Sequence, residues 1–284
     1  MLKGSGMARV VVVHGIGQQY LGPRTMHAPV ARAVVDGVTL AGGSLSEEDV
    51  EVAFYGDWFR PGGQKGEPFY QASDVDDPLE RDLLMAMWSA AAAQEPDVVP
   101  GPDVLAQKGS TPVSVQRALD ALSRSKFFAG LADRFLIGVL KQVRRYLTED
   151  STREFVQSRV AATVRPETSV LIGHSLGSVV AYEALCAHPE WAIRSFVTLG
   201  SPLGIRNIVF DRLKPSPTDG QGVSPGPQWT NIADRNDVVA LVKELAPLFG
   251  KVVDEPVDNG WKAHALAAHL TAVQTGRAVA AGLA

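Results

Sequence analysis

One serine stands where it could become reactive. Ser175 is the centre of Gly173-His174-Ser175-Leu176-Gly177, with an apolar run, Val170 to Ile172, before it and a helix-forming segment, Val179 to Cys186, after it. A strand passing through so tight a turn into a helix strains its apex residue, and glycines two positions to either side avoid the clash. The turn lifts Oγ out of the sheet and leaves the next N–H, that of Leu176, facing any carbonyl bound there. A hydroxyl is a poor nucleophile until a base removes its proton, and the base needs a third group to fix its tautomer. An acid and then a histidine are therefore expected on later strand ends. Asp237 lies just past the expected strand Trp229 to Ala233, and Val238-Val239 would bury the turn beneath it and give its carboxylate one direction. Asp234 competes for the role. Of the six histidines only His264 and His269 lie beyond these acids. His264 sits in a loop ahead of the last helix, whereas His269 falls inside an apolar pattern that suits a core or surface position. The candidate set is Ser175, Asp237 and His264.

Attack on a carbonyl also creates an oxyanion that needs donors. Ala8 to Val13 is a β-branched run ending in His14-Gly15-Ile16-Gly17-Gln18-Gln19. Glycines here let the Ile16 N–H point at developing negative charge, so Ile16 and Leu176 are the candidate oxyanion donors. His14 reads as a brace for this loop rather than a proton carrier, and His174 as pointing sideways into its turn. A dinucleotide-binding loop is the competing reading of Gly15 and Gly17. It is disfavoured because Tyr20 stands where the third glycine belongs and no acidic residue follows a clear second strand.

The elements that must position these residues follow an α/β pattern. Strands are expected at Val10 to Val13, Val50 to Tyr55, Val170 to Ile172, Ala192 to Leu199, Trp229 to Ala233 and Lys251 to Asp254. Helices are expected at Ala28 to Leu40, with Pro29 near its start, at Thr152 to Val164, and at Ala265 to Leu283 as one closing helix. Between Gly56 and Leu147 the strand pattern disappears. Loops rich in Pro, Gly and Asp (Pro61 to Pro78, Pro96 to Pro112) alternate there with helices at Pro78 to Ala93 and Pro112 to Ser123. A broad apolar stripe runs through Phe127, Phe128, Leu131, Phe135, Leu136, Val139, Leu140, Val143 and Leu147. It reads as core or as the underside of a lid over an acyl groove. Residues 7–284 are expected to form one domain, with 57–150 a helical insertion and 1–6 a tag remnant ahead of Met7. Lys214 to Gln228 reads as a surface loop.

Composition narrows the classes. The chain has 284 residues, is 45% apolar and 20% charged, and carries a formal charge of −4. No basic block marks a nucleic-acid partner; Arg144-Arg145 is the densest positive spot and reads as a solvated helix face. A single cysteine, Cys186, allows no internal disulfide and suits a reducing compartment, so a cytoplasmic location is expected. No segment approaches the ~20 apolar residues of a membrane span. No metal-ligand spacing is present, and the chemistry needs no cofactor.

Five pieces together resemble the α/β-hydrolase fold serine hydrolases of the lipase and esterase branch. They are Val-Val-Val-His14-Gly15-Ile16-Gly17, Gly173-His174-Ser175-Leu176-Gly177, Thr198-Leu199-Gly200-Ser201-Pro202-Leu203, Asn236-Asp237-Val238-Val239, and His264 before the last helix. They span residue 8 to about 270; residues 56–150 match nothing in that family. The resemblance implies an α/β-hydrolase fold with about six mostly parallel strands, lacking two leading antiparallel strands of the fuller pattern. It implies that Ser175 attacks, His264 shuttles the proton, Asp237 orients it, and Ile16 and Leu176 hold the oxyanion. The expected substrate is a small ester or lipid-like molecule with a moderately apolar acyl or alcohol part. A thioesterase, acyltransferase or amidase would use the same triad. A catalytically silent module whose lid binds a protein is the reading from another class.

Overall fold

A computed structural model describes residues 8–60, 69–102, 111–128 and 133–284. The expected tag remnant at 1–6, Leu131 of the apolar stripe, and parts of the two Pro/Gly-rich loops lie outside the described residues. Among the described residues the framework is one six-stranded sheet, all parallel, in the order β2-β1-β3-β4-β5-β6. Its strands are β1 (Val10–Val13), β2 (Val50–Ala53), β3 (Val170–His174), β4 (Ser195–Leu199), β5 (Gln228–Asp234) and β6 (Val252–Val257).

The central strands are apolar on both faces because both faces are covered. Val10 and Val12 point into one layer with Val170, Ile172, Val197 and Ile232. Val11 and Val13 point into the other with Leu171, Phe196 and Trp229. The first layer is closed by α1 (Pro23–Leu40), α8 (Leu266–Leu270) and α9 (Val273–Leu283). The second is closed by α2 (Pro78–Gln94), α3 (Thr111–Leu122), α4 (Asp133–Thr148), α5 (Asp150–Thr163) and α6 (Leu176–Ala187), with the single turn α7 (Ala246–Phe249) beside β6. Helices α2 to α5 all fall between β2 and β3, where the strand pattern lapses in the sequence.

Strand β2 ends earlier than expected, at Ala53, β4 begins later, at Ser195, and β6 runs further, to Val257; two helix boundaries differ for local reasons. Helix α1 begins at Pro23 in its first turn, so Pro29 lies inside the helix, on its exposed side, while Met26, Val30 and Val34 reach the sheet layer. The closing helix is two helices. It breaks after Leu270, whose carbonyl lies so close to Gly37 of α1 that a Cβ there would come within 2.2 Å of it, and Thr275 Oγ1 donates to the His269 carbonyl across the break. Helix α2 is capped by Asp77, whose carboxylate accepts the Leu79 N–H at 2.9 Å.

The order β2-β1-β3 reverses the direction of winding beside β1. In open parallel sheets the crevice beyond the carboxyl ends at such a reversal is where ligands bind. The segments following β1, β3, β4, β5 and β6 converge on this edge.

Candidate active site

Ser175 caps β3 and precedes the first turn of α6, with φ 52° and ψ −130°. A non-glycine residue at positive φ is uncommon and costs energy that its surroundings must hold in place. Here the grip is visible. The Ser175 N–H donates to Leu199 O at 2.9 Å, and Ser178 Oγ donates to the Ser175 carbonyl at 2.6 Å while meeting the Ser201 hydroxyl at 2.7 Å. The flanking glycines are needed for space. A Cβ at Gly173 would lie 2.5 Å from Ser178 Cα, and one at Gly177 would lie 2.3 Å from the Val13 and His14 carbonyl oxygens. Helix α6 is thereby seated directly on the end of β1.

The three candidates meet. His264 Nε2 lies 3.0 Å from Ser175 Oγ, and His264 Nδ1 lies 2.7 Å from Asp237 Oδ2. A carboxylate can only accept, so Nδ1 carries the proton and Nε2 offers its lone pair to the hydroxyl. Asp237 is fully buried at its side chain. Its Oδ1 accepts the N–H groups of Val239 (2.8 Å) and Ala240 (3.2 Å), the turn that Val238-Val239 was expected to bury. Burial by itself would push this carboxyl up. The His264 ring and its hydrogen bond, the Val239 amide and the Lys243 ammonium prevail and hold it at about 2. Lys243 donates to the carbonyls of Asp237 and Ala240.

The two competitors do something else. Asp234 accepts the amides of Asn236 and Asn259, tying the end of β5 to the loop after β6. His269 is buried in α8, where Nδ1 donates to the Ala265 carbonyl at 3.2 Å and Nε2 has no hydrogen-bond partner. Burial, then the neighbouring His264, keep its pKa below the usual value. Neither residue touches Ser175 in the contacts described.

His174 has a part that its expected sideways orientation did not include. Its Nε2 donates to the backbone carbonyl of His264 at 2.9 Å, and the two rings lie 4.9 Å apart. Burial, then His264 and His269, hold its pKa well below the usual value, so it stays neutral. Gly200 is a second residue without an assigned role. At φ 53° it passes beneath the pair, where a Cβ would be 2.9 Å from Asp237 Oδ2 and 3.0 Å from His264 Nδ1. Neither contact has a local signature in sequence, since each partner arrives from a distant strand.

Ile16 and Leu176 line the same cavity as Ser175 and His264. Leu176 opens α6, where the first N–H groups have no intrahelical acceptor. The His14 loop is braced as expected. The Tyr55 N–H donates to His14 Nε2 at 3.1 Å, which puts the ring proton on Nδ1, and Nδ1 donates to Gly15 O at 2.5 Å. Burial lowers the His14 pKa to about 4, so the ring is neutral and this pattern is permanent near neutral pH. In a trans peptide the C=O and the following N–H point in opposite directions. By holding the Gly15 carbonyl, His14 also aims the Ile16 N–H.

Above the serine is a cavity of about 540 Å³. Its walls are Leu83 and Met87 of α2, Phe135, Leu136, Val139 and Val143 of α4, Phe127 and Phe128 before α4, and Val238 and Val239. The apolar stripe of 127–147 divides between the core and the cavity wall. Ile137, Leu140, Tyr146 and Leu147 pack into the core while Phe135, Val139 and Val143 face the cavity.

Among the described residues no group of three or more His, Cys, Asp or Glu side chains converges as metal ligands would, and no helix is long and apolar enough to cross a membrane. Comparison of the chain with protein families, with curated proteins and with solved structures finds no match.

Proposed function

We propose that this protein is a serine hydrolase of the α/β-hydrolase type that cleaves carboxylic esters through a covalent acyl-enzyme. The observation that carries the reading is the unbroken hydrogen-bonded chain Ser175 Oγ–His264 Nε2, His264 Nδ1–Asp237 Oδ2, opening on an apolar cavity. As a substrate carbonyl enters, Ser175 Oγ attacks its carbon and the hydroxyl proton passes to His264 Nε2. Asp237 holds the imidazolium in place without taking its proton. The oxyanion of the tetrahedral intermediate is received by the Ile16 and Leu176 N–H groups, each such donor being worth about 3 kcal/mol of transition-state stabilisation. His264 then protonates the leaving alcohol, the acyl group remains on Ser175, and a water activated by the same imidazole releases the acid.

The cavity falls in the common size range for small-molecule sites, and its walls suit a moderately apolar acyl or alcohol part. The lone cysteine fits a reducing compartment such as the cytoplasm.

A fluorophosphonate probe tests the proposal. It should label the wild type at Ser175 and leave Ser175→Ala unlabelled, and that variant should lose p-nitrophenyl ester turnover by about 10⁴-fold or more. A wild type that neither labels nor turns over any member of an acyl-chain series would favour the silent binding module.

A further inference from the structure

We propose that Gln142, on helix α4 of the insertion, is a positioning residue for the oxyanion loop, so that α4 belongs to the catalytic framework. The inference rests on reading Ser175 as the nucleophile and extends it to a residue far from it in sequence. Gln142 is 7% exposed. Its Oε1 accepts the Gly17 N–H at 3.1 Å, and its Nε2 donates to Gln19 Oε1 at 3.1 Å. A backbone N–H can only donate, so the orientation of the Gln142 amide is dictated by Gly17.

The placement matters because of what lies on either side of Ile16. The peptide before it is held through the Gly15 carbonyl by His14. The peptide after it is held at both ends: its carbonyl accepts Gln18 Nε2 at 3.2 Å, and its N–H, that of Gly17, is taken by Gln142. Gly17 has φ 79°, a conformation that leaves the loop little intrinsic preference for this shape, and the Phe135 ring packs within 3.1 Å of where its Cβ would be. Helix α4 thus grips Gly17 by one hydrogen bond and one ring. His14 fixes the direction of the Ile16 N–H, and Gln142 fixes where the loop carrying it sits. If α4 moved away with its cavity-lining residues Val139 and Val143, it would release Gly17 as it went.

Gln142→Met removes both hydrogen bonds at nearly constant shape, and Gln142→Glu keeps an acceptor for Gly17 while the Gln19 amide turns to donate to it. Gln142→Met is expected to lower kcat on p-nitrophenyl butyrate by about 10- to 100-fold with KM changed by less than about threefold, since donors misplaced by a fraction of an ångström fail mainly in the transition state. Its affinity for a trifluoromethyl ketone, which forms an oxyanion on the serine, should fall by the same factor. Gln142→Glu should recover most of both losses. Wild-type kcat in Gln142→Met, or equal losses in Met and Glu variants that merely follow their melting temperatures, would overturn the proposal. Should Gln142→Met not fold, Gln19→Met, which cuts one of the two side-chain contacts, reads the same split. If the wild type itself is inert to esters and to fluorophosphonate, the reading of Ser175 fails. The clamp is then judged by amide hydrogen exchange at Gly17, which must be faster in Gln142→Met than in wild type.

Discussion

Asp237 and Glu80 are both wholly buried carboxylates, and the company each keeps divides the molecule into two kinds of region. At the carboxyl edge of the sheet, Asp237 faces an imidazole and two backbone amides. Its partner is an imidazole whose other nitrogen is directed at Ser175. In the insertion, Glu80 faces Lys141 at 3.1 Å and Arg144 at 3.0 Å, and Arg144 goes on to Glu149 at 3.1 Å. Those partners are cations tied into a wider web, Lys141 donating also to the Asp74 carbonyl and Glu149 meeting Arg145 and Thr152. Burial alone therefore does not separate the two regions; what does is a partner whose second nitrogen faces a hydroxyl at a cavity.

The largest separation between the regions should come from neutralising their carboxylates. Asp237→Asn should lower kcat by about 10⁴-fold by favouring the wrong imidazole tautomer, with the fold retained. Asp234→Asn, in the same loop, is the internal contrast. It should keep kcat within about tenfold and lose about 1–2 kcal/mol in chemical denaturation, because it weakens one buried turn. An equal kinetic loss at both positions would break the distinction.

Glu80→Gln should act in the opposite sense. Stripping the counter-charge from Lys141 and Arg144 should cost about 2–3 kcal/mol in urea unfolding, less than a fully enclosed pair because both cations are partly exposed. Turnover per folded molecule should be unchanged below the unfolding transition, since Glu80 touches nothing at the serine.

The smallest effect is the pH response. His14, His174 and His269 all have pKa values depressed by burial, His14 to about 4. Below an unfolded-state value near 6.5 the unfolded chain binds protons that the folded chain refuses. Stability is thus full above that value and falls as the pH drops from there toward 4. For His14 alone the slope is about 1.4 kcal/mol per pH unit, and melting curves of His14→Gln between pH 7 and pH 5 should show that much less dependence.

What was legible in the sequence follows from range. The serine turn is written in consecutive residues, because its constraint is local: Gly173 and Gly177 make room within a single turn. Strands apolar on both faces announce a covered parallel sheet. The choice of Asp237 over Asp234 could be made because the residues that bury it are its immediate successors. Gln142 and the Glu80 network left no such trace, and Gly200 stands in a recognisable piece of sequence in which its packing role is not written. Gln142 meets a glycine on the first strand's loop, Gly200 is required by a pair arriving from β5 and β6, and Glu80 is matched across two helices. The break between α8 and α9 belongs here too, since it answers to Gly37 of α1 and to no helix-breaking residue at the break.

The seating of α6 on the end of β1 has a consequence for how such a protein can change over time. With the Gly177 backbone pressed on the Val13 and His14 carbonyls, the serine turn and the loop after β1 form one rigid casting with no room for an added side chain at Gly177. The cavity walls at Leu83, Met87, Val139 and Val239 meet the cavity through side chains rather than backbone. New substrate preferences should arise by exchanging those walls, and a library confined to these four positions should diversify chain-length selectivity while leaving the bond-breaking step intact.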